Sequence, residues 1–453
     1  MGQPNLSNRD HFTSKAGAIA AAAGSAIGLG NIWRFPYITG QNGGAAFILI
    51  YLVFVIFIAI PVLLSEFTIG RKAQRNAFGA FKLLKPNQPW YLIGVMGILG
   101  AYMILSFYST VAGWTLEYLY SSITNSFSGK TPDILTSEFD IFVSSGWRPI
   151  IWQIVFMTLT AGIVIMGIKK GIEKFSKILM PILVLLIVAL AIRSVTLPGS
   201  AAGLRFLFDP DFSKITSNVI IQALGQGFFS LSIGMGVLIT YGSYIQKSDN
   251  LGNSAVIVAL LNSSFSILAG IAIFPAVFAF NIEPASGPGL VFITLPNIFN
   301  QMPMGYFFSL LFFALLTIAA LTSSISVLEV VVAYATEQLG WTRKKATIIG
   351  AVSITATGIL CTMSQGPWSE LQLFGKNIFD ILDYTSANIL LPLGGFFIVI
   401  FLGWVIGPAS AKAEITNNGT TRSIFFGLYI FIIRYIAPIA IAAVFLNGLG
   451  VFG

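Results

Sequence analysis

Two stretches of the chain place polar residues inside glycine clusters. The first is Gly24-Ser-Ala-Ile-Gly28-Leu-Gly30-Asn31; the second is Gly225-Gln-Gly227-Phe-Phe-Ser230-Leu-Ser232-Ile-Gly234-Met-Gly236. Glycine costs about 1 kcal/mol relative to alanine in a helix interior, so both stretches weaken the helix that contains them. An interrupted helix releases carbonyls and amides. Freed carbonyls suit a hard cation, which prefers oxygen ligands, and the amino ends of half-helices suit a carboxylate. A third cluster, Ala319, Thr322 and Ser323, has i, i+3, i+4 spacing, which puts all three on one helical face. Each feature also has a plainer reading. Gly24-xxx-Gly28 is a close-packing pattern between membrane helices, and Ser or Thr hydroxyls often bond the preceding turn's carbonyl. Other chemistries find little support. The single cysteine, Cys361, excludes a disulfide framework and a cysteine-rich metal site. The single histidine, His11, lies in the polar amino-terminal stretch, and no nucleophile–base pair or metal-ligand cluster stands out, so an enzyme is not expected.

The elements that must position these residues are membrane helices. Hydrophobic residues make up 56% of 453 positions and charged residues 9%, with mean hydropathy +0.85. A soluble domain carries roughly 25% charged residues. Apolar runs long enough to cross a bilayer recur from end to end. The pattern predicts an all-α membrane protein of eleven spans: 16–38, 43–70, 89–123, 149–168, 173–197, 216–245, 251–280, 306–338, 345–363, 377–408 and 421–448. Several exceed the ~20 residues a crossing needs, so tilt or extension into water is expected. Residues 284–303, with Pro284, Pro288, Pro296 and Pro303, read as an external loop with short helical pieces.

The net charge of +8 is distributed as an orientation signal and forms no continuous basic helix, which argues against nucleic acid as a partner. Arg71, Lys72, Arg75, Lys82 and Lys85 follow the second span. Lys169, Lys170, Lys174 and Lys177 follow the fourth, and Arg343, Lys344 and Lys345 the eighth. Loops of the other parity are mixed, as in 129–148, where Lys130 and Arg148 face Asp133, Glu138 and Asp140. The amino-terminal tail 1–15 is therefore expected in the cytoplasm, and an odd span count places Gly453 outside.

The two glycine clusters fall in spans one and six. Interrupted spans five apart predict a 5+5 inverted repeat, 16–197 and 216–408, with an extra helix at 421–448 and a substrate site at the breaks. The whole chain reads as one transporter domain.

The run Gly28-Leu-Gly30-Asn31-Ile-Trp33-Arg34-Phe35-Pro36-Tyr37, then Asn42-Gly43-Gly44-Ala-Ala-Phe47, resembles the signature of the neurotransmitter:sodium symporter family. Phe228 to Gly236 and Leu321-Thr322-Ser323-Ser324 match that family as well. The resemblance runs nearly the full length and is nearest the eleven-span bacterial carriers of hydrophobic amino acids. It implies symport by alternating access, driven by two sodium ions, at a bacterial cell membrane, with lipid as surroundings and a monomer sufficient.

Residue roles follow from the resemblance. The first sodium site maps to the Ala26 carbonyl, Asn31, Ser230 and Asn262, and the substrate carboxylate completes it. The second maps to Gly24, Ile27, Ala319, Thr322 and Ser323. Substrate contacts fall on Ala26, Leu29, Gly30, Tyr108, Ser230, Ser232 and Ser323, with apolar walls from Ile104, Phe229, Met235 and Val327. Monoamine carriers of the family have an aspartate where this chain has Gly28, so the resemblance favours a substrate that brings its own carboxylate. Met235, a flexible thioether, replaces a bulky aromatic of relatives selective for small aliphatics, which favours a broad range: Leu, Ile, Val, Phe, Tyr and Trp. Arg34 and Asp383 match an outer pair over Tyr108 and Phe229. Arg9 and Glu337 match an inner latch beside Phe12 and Tyr244. Gly171 and Pro181 mark a part of the fifth span expected to unwind for sodium release.

One position departs from chloride-independent bacterial relatives, which have a carboxylate where this chain has Ser266. Tyr51, Gln226, Ser230, Asn262 and Ser266 then resemble the chloride cage of chloride-dependent members. The rival readings are proton coupling on the same scaffold, which needs a titratable midplane group, and an amino-acid-gated channel or binding scaffold. Glu66 and Glu329 lie in or near spans, outside the glycine clusters.

Overall fold

The computed structural model describes residues 10–280 and 290–451. In chain order its main helices are α1 (Lys15–Ala26), α2 (Gly30–Gln41), α3 (Ala45–Ala73), α4 (Tyr91–Ile123), α5 (Trp147–Ile165), α6 (Ile168–Val195) and α7 (Ser217–Ser230). They continue as α8 (Val237–Gly242), α9 (Leu251–Ala279), α10 (Gly305–Gln338), α11 (Arg343–Gln365), α12 (Ile378–Ile406) and α13 (Phe426–Gly448). Among the described residues the only β-pairing is a bridge between Leu373 and Lys376. Helices are the expected solution, since each satisfies its own backbone groups where lipid cannot.

Nine of these helices are long and apolar enough to cross a membrane unaided, and α1 with α2 makes a tenth crossing bent by 53°. The span expected at 216–245 is divided into α7 and α8, neither of which reaches crossing length alone. Length and composition therefore support ten crossings where eleven were expected. Of the connection 284–303, the described part holds the helix Leu295–Gln301, whereas Pro284 and Pro288 lie outside the described residues.

Helix starts are fixed by side-chain caps. Ser14 accepts from Gly17 N at 3.1 Å, Asn250 from Asn253 N at 2.9 Å and Asn377 from Asp380 N at 2.9 Å. The central helices are joined by hydroxyl and amide bonds, which stand in for a hydrophobic drive that lipid does not supply. Thr115 meets Thr317 at 3.2 Å and Ser122 meets Ser309 at 2.8 Å between α4 and α10, and Thr160 meets Ser324 at 2.8 Å between α5 and α10. The outer faces are apolar, as Leu185 (70% exposed) and Ile439 (73%) illustrate.

One end of the bundle gathers the basic connections and the amino-terminal segment. Arg71 at the end of α3 pairs with Glu414 at 2.7 Å, Lys247 donates to the Arg71 carbonyl at 2.8 Å, and Lys177 pairs with Glu173 at 2.6 Å. Arg343 Nε donates to the Val164 carbonyl at 2.9 Å at this same end.

Candidate functional site

Both glycine clusters are breaks. α1 ends at Ala26, and Ile27 is extended (φ −84°, ψ 102°) before α2 begins at Gly30. Between α7 and α8 the chain passes through Ser232 (φ 55°), Gly234 (φ 85°) and Gly236 (φ 72°), all left-handed. Glycine adopts such angles without steric cost, and a Cβ on Gly234 would run into the Leu391 carbonyl. The break is held from outside: Gly234 N donates to Glu66 Oε1 on α3 at 2.8 Å.

The two breaks face each other across a cavity closed by α4 and α10. Ala26, Leu29 and Gly30 line it from the first break, and Phe229, Ser230, Ser232 and Met235 from the second. Ile104 and Tyr108 enter from α4, and Ser323 and Val327 from α10. All eleven residues expected around a substrate are thus brought to one cavity. Four further lining residues, Ser25, Gly28, Asn31 and Leu105, were not among the expected substrate contacts, although Asn31 was expected at the adjoining ion site. Leu29 N donates to Tyr108 Oη at 3.4 Å, so a backbone amide and a phenol meet at one end of the cavity. The apolar side chains of Ile104, Met235 and Val327 are buried at 4–6% exposure.

The residues expected at the first ion site converge. One amide atom of Asn262 lies 2.8 Å from Asn31 Nδ2, 3.2 Å from the Ala26 carbonyl and 3.1 Å from the Ser230 carbonyl. As oxygen it accepts from Asn31 but faces two other oxygens; as nitrogen it would serve those carbonyls but face the Asn31 donor. The oxygen assignment also lets Asn262 Nδ2 donate to Ser230 Oγ at 3.1 Å. In the oxygen assignment three oxygens converge here, Asn262 Oδ1 and the carbonyls of Ala26 and Ser230.

The second set behaves alike. Ser323 Oγ lies 3.4, 3.2 and 3.2 Å from the carbonyls of Gly24, Ser25 and Ile27, yet a hydroxyl has one proton to give. Thr322 Oγ1 is 3.0 Å from the Ala319 carbonyl, the preceding-turn bond, and 3.5 Å from the Ile27 carbonyl. Acceptors again outnumber donors.

Beside the first set, Tyr51 Oη lies 3.4 Å from both Ser230 Oγ and Ser263 Oγ, and Asn31 Nδ2 donates to Ser266 Oγ at 2.8 Å. Gln226, one turn before Ser230, is buried with both amide atoms unpartnered.

At the end away from the basic connections, Arg34 stacks 4.2 Å from the Phe229 ring centroid. Among the described residues no ion pair joins Arg34 to Asp383; the guanidinium is taken up by the aromatic face, and the expected outer pair is not closed. At the other end Phe12 is buried, edge-on to Tyr241 and Tyr244 at 5.7 and 6.0 Å. Phe12 N donates to the Tyr244 carbonyl at 3.1 Å, and Gln246 Nε2 donates to the Phe12 carbonyl at 2.9 Å. Glu337 accepts from the amide and the side chain of Asn76, both at 2.8 Å, while Arg9 lies outside the described residues. Tyr244 Oη donates to Glu329, which also pairs with Arg343. Gly171 and Pro181 lie in a continuous α6: the part expected to unwind is wound, with a wide turn at Ile168–Glu173.

A helical membrane protein with two interrupted helices around a buried, partly polar cavity is a small-molecule carrier in form. The model of the sodium:neurotransmitter symporter family matches residues 9–136 and 144–452. The chain is 41% identical over 440 residues to the uncharacterized sodium-dependent transporter YhdH of Bacillus subtilis, covering 97% of this chain and 98% of that protein. It is 28% identical to the sodium- and chloride-dependent GABA transporter 2 of Mus musculus over 88% of this chain and 73% of that one. The crystal structure of MhsT in complex with L-phenylalanine is similar, with TM-score 0.90 and 48% identity over 97% of this chain and 100% of that one. The chain belongs to the sodium:neurotransmitter symporter family. It is a sodium-dependent membrane transporter of a small molecule, not an enzyme.

Proposed function

We propose that the protein carries hydrophobic L-amino acids (Leu, Ile, Val, Phe, Tyr and Trp) into the cell together with two sodium ions, by alternating access. The cavity between the two breaks carries this reading. Its polar end, with the Leu29 and Gly30 amides and Tyr108, suits a carboxylate, and its apolar walls suit an uncharged side chain. MhsT, the similar structure, is solved with L-phenylalanine. Ala26, Asn31, Ser230 and Asn262 with the substrate carboxylate hold one sodium; Gly24, Ile27, Ala319, Thr322 and Ser323 hold the other. The convergence of the Ala26 and Ser230 carbonyls on the Asn262 amide, and of the Gly24 and Ile27 carbonyls on Ser323 Oγ, supports this assignment.

α7 and α8 make the eleventh crossing, 16–197 and 216–408 are the inverted repeats, and the basic end of the bundle faces the cytoplasm. Arg34 with Asp383, and Arg9 with Glu337, open and close the two sides. Gln226, Tyr51, Ser230, Asn262 and Ser266 take a chloride ion, whose charge would employ the unpartnered Gln226 amide.

Sodium entry is large enough to drive the transport. Each charge crossing ~100 mV releases ~2.3 kcal/mol, and a tenfold gradient adds ~1.4 kcal/mol per ion. Two ions supply about 7 kcal/mol, a limit of roughly five orders of magnitude in zwitterion accumulation.

A proton-coupled reading is favoured by one observation: Glu66, though outside the glycine clusters in sequence, touches the second break. Uptake of labelled tryptophan and leucine into proteoliposomes decides between the two. Uptake that is saturable with external sodium and lost in potassium or choline supports symport. Uptake indifferent to sodium and driven by a pH gradient replaces it with proton coupling, and sodium-independent equilibration without accumulation leaves a channel.

A further inference from the structure

Glu173 is the last residue of the wide turn Ile168–Glu173 that opens α6, and it is buried. Its Oε2 accepts from the Thr13 amide at 2.7 Å. Its Oε1 accepts from Thr13 Oγ1 at 2.6 Å, Ser14 Oγ at 3.1 Å and Lys177 Nζ at 2.6 Å. Thr13 and Ser14 immediately precede α1, with Ser14 as its amino-terminal cap. The first amides of a helix lack intrahelical partners and carry partial positive charge. Ser14 serves Gly17 N within the chain segment, while Glu173 brings a carboxylate to the same end from another helix. Gly17 packs so closely that a Cβ there would overlap the Glu173 side chain.

The turn carrying Glu173 is held by its surroundings. Wide turns are less favourable than α-turns and persist where packing retains them. Gly167, with φ 88°, precedes the turn, and Gly171 lies against the Ile163 carbonyl with no room for a Cβ. Lys177, the partner of Glu173, stands four residues before Pro181, whose missing N–H leaves the Lys177 carbonyl without its usual helical donor. α6 also reaches the far end of α1, where the Met180 sulfur lies 3.3 Å from the position of a Cβ on Gly24.

We propose that Glu173 is a positioning residue of the inner gate: a cap supplied by α6 that ties the amino end of α1 to the wide turn, so that the two release as one unit. The proposal rests on the transport reading, in which the inner end of α1 must move to let cargo out. Sodium held between α1 and α10 keeps α1 seated; once α1 swings, Glu173 loses three of its four donors and the turn loses its anchor.

Amide hydrogen exchange of the full chain, in sodium with phenylalanine and in potassium, tests the coupling. Glu173→Ala is expected to speed exchange about tenfold in both 13–20 and 167–175 under sodium, with 91–123 unchanged. Glu173→Gln, which keeps the acceptor but not the charge, should fall between, and Lys177→Met should resemble it. The half-saturating sodium concentration for phenylalanine binding should rise about tenfold in Glu173→Ala with its maximum retained, as a population shift requires and a local packing defect does not. Release of 13–20 while 167–175 keeps its protection would overturn the proposal, as would unchanged exchange in both. If Glu173→Ala fails to fold, Glu173→Gln decides by the same two windows. Loss of sodium-dependent uptake in the unmodified protein would strike the transport reading instead, and the exchange comparison would still report whether the windows move together.

Discussion

Glu66 Oε1 accepts the hydrogen bond of Gly234 N at 2.8 Å, so a carboxylate on an unbroken helix carries the backbone of a broken one. The left-handed residues around Gly234 cannot pair within a helix, and a buried amide without a partner costs about 1–3 kcal/mol. Glu66→Ala should therefore lower the thermal midpoint and weaken substrate binding at least tenfold, while Glu66→Gln keeps the acceptor and most of the binding. Equal loss in both variants would show that the charge, and not the hydrogen bond, is what matters. Sodium-dependent phenylalanine binding and a melting curve on each variant give the answer.

Met235 is 4% exposed on the wall of the cavity, where a rigid ring has less room to adapt than a thioether. Met235→Phe should reduce tryptophan uptake about tenfold relative to leucine, in line with ~1–3 kcal/mol for overpacking. Competition of unlabelled tryptophan against labelled leucine reads this directly; an unchanged ranking removes Met235 from the size argument.

Gly28 has no space for a side chain. A Cβ there overlaps Ser323 and comes within 3.3 Å of Tyr108 Oη. Gly28→Asp should abolish amino-acid uptake without creating transport of an amine, because the surrounding hydroxyls are set for a bare backbone. Gly28→Ala should already cut uptake severely. Amine uptake by the aspartate variant would show that the framework adapts more than this packing allows.

Removing an oxygen from a cation cage should raise the sodium requirement and leave the substrate's apolar contacts intact. For Thr322→Ala and Asn31→Ala we expect the half-saturating sodium concentration to increase about tenfold, equivalent to ~1.4 kcal/mol. Titration of phenylalanine binding against sodium at constant ionic strength measures it. A fall in the binding maximum with no sodium shift would reassign these residues to structure.

The buried and unpartnered Gln226 amide gives the chloride reading its own test. Replacement of chloride by gluconate should lower uptake severalfold, and Gln226→Ala should abolish that sensitivity. Uptake equal in the two salts would leave Gln226 without an anion to hold.

The sequence by itself determined the helical membrane class, because a chain with 9% charged residues cannot be coated for water, and it located both breaks through glycines that a helix interior disfavours. The resemblance to a known family, and not periodicity, picked out Ile104, Tyr108, Met235 and Val327, which line one cavity. Long-range partners were not legible in this way. Glu66 stands 168 residues from Gly234, and Glu173 stands 160 from Thr13, separations across which no periodicity carries information. Arg34 was matched with Asp383 by the family resemblance, yet its guanidinium lies on the Phe229 ring, a placement that only the packed helices show. Spacing within one helix is fixed by 3.6 residues per turn and can be read from a string of letters. Which carboxylate reaches which freed amide is fixed only when separate helices pack, and that decides how each break is held.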